Sequence, residues 1–371
     1  MRKIKTTLSK QNKSFDRKIF FLVIFLVVLG IIAIADVSAP QSLNNYGNKF
    51  FLLKEQSISA AIGLAVFFIV SRIKYTFWEK MAIPMFFISL ILLVMVLIQS
   101  FGFSALGARR WISIGPINFQ PSELIKLTIC IYLAKVAAGK KGPFSYFIPL
   151  ALIAGLIMLQ PDLGTTLVIL VIGFSQIFVS DVSLLYLAGS VVVGVISTIG
   201  LILSSPYRRA RLTTFFETTS DPLGKSYHIR QVLLALGSGG IFGVGFGASR
   251  QKYLFLPEAS TDSIFAIIAE ELGLIGATVV IFLFVYFVIR GLKIAKSAPD
   301  KFSSVLAVGI SAWIGGQAFL NIASMVSLVP LTGIPLPFIS YGGSSLVMIL
   351  SACGILLNIS KFTNQQHESR R

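Results

Sequence analysis

The sequence predicts an all-α polytopic membrane protein with about ten transmembrane helices, and three observations carry that prediction. Hydrophobic residues make up 55% of the chain and charged residues 13%, against about 25% charged residues in soluble domains. So apolar a chain has no soluble core large enough to hide its surface, and the bilayer must act as its solvent. The apolar residues also fall into runs near 19–35, 56–70, 81–98, 121–138, 144–159, 165–179, 183–205, 264–289, 303–328 and 337–359. Finally, Lys and Arg flank these runs far more often than they interrupt them, as membrane topology requires.

The first run follows a basic start and ends in Ala33-Ile34-Ala35, the small-residue pattern of a signal-peptidase site. It exceeds the roughly 7–15-residue core of a signal peptide, so an uncleaved first span is expected. The 144–159 and 165–179 runs are short, and Gln160-Pro161-Asp162-Leu163-Gly164 separates them. With the N-terminus inside, ten spans put twenty of the thirty-two Lys and Arg residues on the inner side and eleven on the outer, with Lys126 inside a span. The positive-inside rule therefore places both termini in the cytoplasm. No repeat or low-complexity linker divides the chain. It reads as one ten-span membrane domain (19–359) between cytoplasmic tails at 1–18 and 360–371, with a long outer loop at 206–263.

That outer loop breaks the charge rule, because it carries Arg208, Arg209, Arg211, Lys225, Arg230, Arg250 and Lys252. Long loops translocate regardless of charge. Alternatively, the loop gathers cations for an anionic partner, for which phosphate is the natural candidate. The net charge of +17 belongs to this topology, and no nucleic-acid partner is expected. Cys130 and Cys353 lie in apolar runs and suggest neither a disulfide framework nor a zinc site. The two histidines are His228 and His367, and no G-x-S-x-G elbow is present, which leaves little for a Ser-His-Asp hydrolase.

Leu256-Pro257-Glu258-Ala259-Ser260-Thr261-Asp262-Ser263 brings two carboxylates to the entry of a span, where Thr261 or Asp262 is a candidate N-cap. Glu270 and Glu271 follow inside the span, and an intramembrane carboxylate pair is a functional candidate by default. Asp262, Ala266 and Glu270 would share one helical face, with Lys126 an available partner. In Gln120-Pro121-Ser122-Glu123-Leu124-Ile125-Lys126, Glu123 and Lys126 stand at i and i+3, either as an ion pair or lining a cavity. Arg109 and Arg110 precede Trp111, as interfacial anchors or as ligands for a head group. The glycines between 237 and 247 lack the Lys-Ser/Thr end of a phosphate loop, and a close-packed re-entrant hairpin is expected there. The stretch 330–345 is a stiff loop before the last span.

Together these segments resemble the SEDS family of shape, elongation, division and sporulation proteins, which includes FtsW, RodA and SpoVE. The matching pieces are GARRW at 107–111, QPSELIK at 120–126, QPDLGT at 160–165, SDPLGKSYHIRQ at 220–231, GVGFGASRQKYLFLPEASTD at 243–262, AEELGLIG at 269–276 and PLPFISYGGSS at 335–345. Seven segments in this order are far more specific than any one of them. GFGASRQKYLFLPEA is more similar to the FtsW/SpoVE branch than to RodA. Two positions depart from the family: Ser263 stands where an aromatic residue usually follows the Thr-Asp pair, and Ser260 replaces a frequent His.

The resemblance implies a peptidoglycan glycosyltransferase in the bacterial cytoplasmic membrane, multi-pass, serving division or cell shape. Its substrate would be lipid II, a disaccharide-peptide on undecaprenyl pyrophosphate. Its partners would be a class B penicillin-binding protein and other divisome or elongasome membrane proteins. Asp262 matches the family's essential outer-loop aspartate and is the candidate general base for an inverting transfer. The candidate substrate-binding set is Arg109, Arg110, Glu123, Lys126, Asp162, Arg208, Arg209, Arg250, Lys252, Glu258, Glu270 and Ser340. No cofactor is implied with certainty; a divalent cation could assist, but no dedicated ligand set is visible. A lipid II flippase or a non-catalytic division scaffold are the competing functions.

Overall fold

The computed structural model describes residues 15–98, 102–105, 108–114, 117–203 and 226–368. Every apolar run meets a helix. In chain order the helices are α1 (Arg17–Val37), the short α2 (Ala39–Tyr46), α3 (Phe51–Arg72), α4 (Tyr75–Met95), α5 (Pro121–Ala138), α6 (Phe144–Leu159), α7 (Leu163–Val179) and α8 (Leu184–Leu203). They continue with α9 (Tyr227–Gly239), α10 (Ile264–Lys296), α11 (Lys301–Met325) and α12 (Gly343–Glu368). Among the described residues α1, α3, α4, α10, α11 and α12 are long and apolar enough to cross a membrane. α6 and α7 are shorter, at 16 and 17 residues. The chain is a multi-pass membrane protein.

Carboxylates start several helices. Asp16 accepts from the amides of Lys18 and Ile19 at α1, Asp162 from Thr165 at α7, and Asp300 forms a capping box with Ser303 at α11. Each meets amides that would otherwise be orphaned. α11 and α12 fill the centre of the bundle, with α11 against α10, α7 and α5, and α12 along α3. The outer helices keep apolar residues exposed, such as Phe21, Phe25 and Ile32 on α1 and Phe87 and Ile91 on α4. In a bilayer these faces meet lipid rather than water.

Three local features differ from the sequence reading. The segment before α5, which lies between two apolar runs, contains a small antiparallel sheet of order β1 (Gly102–Ala105), β2 (Ala108–Ile114) and β3 (Ile117–Phe119). The last span begins at Gly343 rather than 337, because Pro335 and Pro337 remove amides and disfavour helix before them. α10 begins at Ile264 with Ser263 at its N-cap and no side-chain capping bond, so neither Thr261 nor Asp262 caps it.

The glycine-rich stretch after α9 packs into the start of α10, as a re-entrant hairpin would. Gly273 adopts φ 66, ψ −166 and interrupts the helix. The ladder is completed by exchange with the hairpin. Leu274 N and Ile275 N donate to Gly240 O and Ile241 O, while Val244 N and Gly245 N donate to Glu270 O and Glu271 O. A Cβ on Gly273 would lie 2.4 Å from Gly243 N and from Ile241 O. Glycine is needed both for this backbone conformation and for the close approach.

Candidate active site

Asp262 lies at the end of the loop before α10 and is 9% exposed. Its main-chain carbonyl accepts a 2.8 Å hydrogen bond from Asn321 Nδ2 on α11. Thr261 Oγ1 stands 3.3 Å from Asp262 Oδ1 and 2.8 Å from Glu258 Oε2, so one hydroxyl lies between the two carboxylates. Glu258 adopts φ 50, and its carbonyl accepts from the amides of Thr261 and Ser263. The facing wall is the loop joining α11 to α12, where a Cβ on Gly333 would stand 3.8 Å from Asp262 Oδ2. Tyr341 N donates to Ser260 O at 2.8 Å and closes the junction between the two loops. Burial, followed by Glu55 and Tyr46, pushes the Tyr341 phenol up to about 12, so it stays protonated near neutrality.

A buried polar chain runs beneath this junction. Lys126 Nζ lies 2.7 Å from Glu123 Oε1 and 2.9 Å from Gln317 Oε1, and 5.3 Å over the Trp313 ring. Gln317 Nε2 donates to Pro335 O, and Asn321 Nδ2 also donates to Ile334 O. Of the two readings of Glu123 and Lys126, the ion pair is present. Lys126 does not reach Glu270 as a partner; its bonds go to Glu123 and Gln317.

Arg110 donates from Nη2 to Pro161 O at 2.6 Å and from Nε to Gln160 O at 3.2 Å, with Asp162 Oδ2 3.7 Å away. It ties β2 to the turn that starts α7. That turn abuts the Gly333 loop, since a Cβ on Gly164 would lie 2.7 Å from Thr332 O. Ser340 is buried, and its Oγ accepts from Leu336 N within a tight turn. Arg109 stands in β2 with its side chain outside the described residues, and Arg208 and Arg209 lie wholly outside them.

The remaining candidates form a second cluster. Glu270 does not continue a face from Asp262, because Asp262 precedes the helix. Glu270 instead accepts from Arg250 N and from Ser249 Oγ. Glu271 accepts from Gly247 N, Ser249 N and Lys252 Nζ. Lys252 is buried and bonds both Asp36 and Glu271, at 2.7 and 2.9 Å. Burial works to lower its pKa, but the two carboxylates outweigh burial and raise it. Arg250 keeps an exposed side chain. Among the described residues no group of three or more His, Cys, Asp or Glu is placed to hold a metal.

Sequence reasoning passed over Asn321, Gln317 and Asp36. The signal for the first two was present: amides at i and i+4 with Trp313, inside an otherwise apolar helix.

The fold and the site define a helical membrane protein with a carboxylate held where two loops meet at one end of the bundle. The Cell cycle protein family of FtsW, RodA and SpoVE matches residues 16–365, and the chain belongs to it. Stage V sporulation protein E of Bacillus subtilis (strain 168) is 38% identical over 364 residues, covering 96% of this chain and 100% of the relative. A probable peptidoglycan glycosyltransferase FtsW of Legionella pneumophila is 38% identical over 373 residues, covering 98% and 93%. Among solved structures, a chain described under structural coordination of polymerization and crosslinking by a peptidoglycan synthase complex matches with TM-score 0.77 and 28% identity, covering 95% of this chain and 99% of that one. The rod shape determining protein RodA of Thermus thermophilus matches with TM-score 0.69 and 27% identity, covering 94% and 97%.

Proposed function

We propose that this protein is a peptidoglycan glycosyltransferase that polymerises lipid II on the outer face of the bacterial cytoplasmic membrane, with both termini inside. The full-length similarity to relatives named for that activity supports the reading. The observation that carries it is the placement of Asp262 between its own loop and the Gly333 loop.

In this reading Asp262 takes the proton from the GlcNAc 4-hydroxyl of the acceptor. That oxygen attacks the anomeric carbon of the donor MurNAc. The C–O bond to pyrophosphate breaks, and the α-linkage inverts to a β-1,4 bond. A pyrophosphate leaves without the acid that a glycosidase needs, so cations suffice to receive its charge. Exposed Arg250 is a candidate for that role, together with Arg208 and Arg209. Lys252, with two carboxylates already bound, is a poorer one. Arg110 and Asp162 shape the neighbouring turn. The cross-linking partner is a class B penicillin-binding protein, in keeping with the synthase-complex relative.

The test is polymerisation of purified lipid II, with and without the cognate penicillin-binding protein. Asp262→Asn is expected to slow it about 10²–10⁴-fold, the usual worth of a general base. Glycan strands at the wild-type rate from folded Asp262→Asn protein would sink the assignment.

A further inference from the structure

α11 carries Trp313, Gln317 and Asn321 at successive turns of one face. Asn321 is fully buried, and its Nδ2 donates at 2.8 Å both to Asp262 O and to Ile334 O. The two acceptors fix the amide's orientation, since a flip would set its oxygen against two carbonyl oxygens. This commitment leaves Oδ1 buried with no hydrogen-bond partner among the described residues. One turn away Gln317 pins the next carbonyl, Pro335 O, while its Oε1 accepts from Lys126 Nζ and Trp313 Nε1.

We propose that Asn321 is a positioning residue for Asp262. Its single amide sets the registry between the Asp262 loop and the loop whose Gly333 faces the carboxylate. Gln317 carries that registry down to the buried Glu123–Lys126 pair. Asn321 acts on the main chain of Asp262 and needs no contact with substrate. The proposal rests on the reading of Asp262 as the base, and misplacing a reacting group by about 1 Å costs on the order of 10²-fold in rate.

The test uses the full chain in lipid. Initial rates are taken across a range of lipid II concentrations for wild type, Asp262→Asn, Asn321→Ala and Asn321→Gln, each scaled to folded protein. Asn321→Ala is expected to lower kcat about 10–100-fold while KM stays within about twofold, the mark of an interaction that acts in the transition state. Asn321→Gln, which keeps the amide, is expected to regain part of the rate. Should Asn321→Ala not fold, Asn321→Ser supplies one donor for the two carbonyls and the same split is read on it. Wild-type kcat per folded molecule in the Asn321 variants, beside an inactive Asp262→Asn, overturns the positioning role alone. An Asp262→Asn protein with wild-type rate overturns the base assignment and this proposal with it.

Discussion

Two sets of acids sit close together in the chain, and different parts of the protein hold them. Glu270 and Glu271 are held by their carboxylates: all four oxygens accept hydrogen bonds from the 247–252 segment. Asp262 is held by Asn321 through its main-chain carbonyl, and its Oδ1 lies 3.3 Å from Thr261 Oγ1. The first arrangement is architecture. A hairpin packed against a broken helix must satisfy its amides, and a buried carboxylate must find donors. The 247–252 segment and the glutamates meet each other's need. The second arrangement fixes the backbone of an acid from a neighbouring helix.

The contrast is sharpest in substitutions that change charge and little else. Asp262→Asn is expected to remove polymerisation as stated above while leaving the thermal midpoint in detergent near wild type. Glu271→Gln should do the reverse. It leaves Lys252 with Asp36 alone and turns an NH2 group toward an amide donor, and losing a hydrogen bond to a charged group costs about 1.5–3 kcal/mol. A large fall in thermal midpoint is the expected reading. If Glu271→Gln instead kept its midpoint and lost its rate, the two acids would not differ as described. Gly273→Ala probes the same architecture with no charge change. It forces a Cβ into the hairpin backbone at a glycine-only conformation, worth at least about 1–3 kcal/mol in strain. Thermal unfolding of the purified protein measures it.

How much of this was legible in the sequence follows from the range of the physics involved. Ten runs gave ten helices because hydrophobic length is a local property. The Glu123–Lys126 pair was legible because i, i+3 geometry is also local. Lys126 and Glu270 suggest each other as partners because both are rare intramembrane charges, yet Lys126 bonds Glu123 and Gln317, and Glu270 bonds Ser249 and Arg250. Asp36 reaches Lys252 from the end of α1 across more than two hundred residues. No spacing rule predicts such a bond. Asp262 was found by motif, but its Asn321 clamp and its Gly333 wall exist only once α11 and the following loop are folded together. The missing cap had a local cause: the 3.1 Å bonds from Thr261 N and Ser263 N to Glu258 O wind the chain into turns before α10 starts.

Ser340 offers the smallest effect and a useful boundary to the comparison. The motif alone groups it with substrate-binding residues, and the structure gives its hydroxyl a bond from Leu336 N. Its carbonyl accepts from Gln56 Nε2, and Gln56 Oε1 accepts from Gly342 N, so three side-chain bonds restrain the turn. The same turn carries Phe338 at φ 65, a conformation that side chains with a Cβ rarely adopt. Such a residue persists only where its surroundings over-determine it. Ser340→Ala removes one of the three restraints and should lower stability by about 1 kcal/mol, the net worth of an ordinary hydrogen bond. The expected signature is a small drop in thermal midpoint, with any change in rate no larger than that loosening produces. A raised KM for lipid II at an unchanged midpoint would place the hydroxyl at the substrate and move Ser340 from the architectural group to the chemical one.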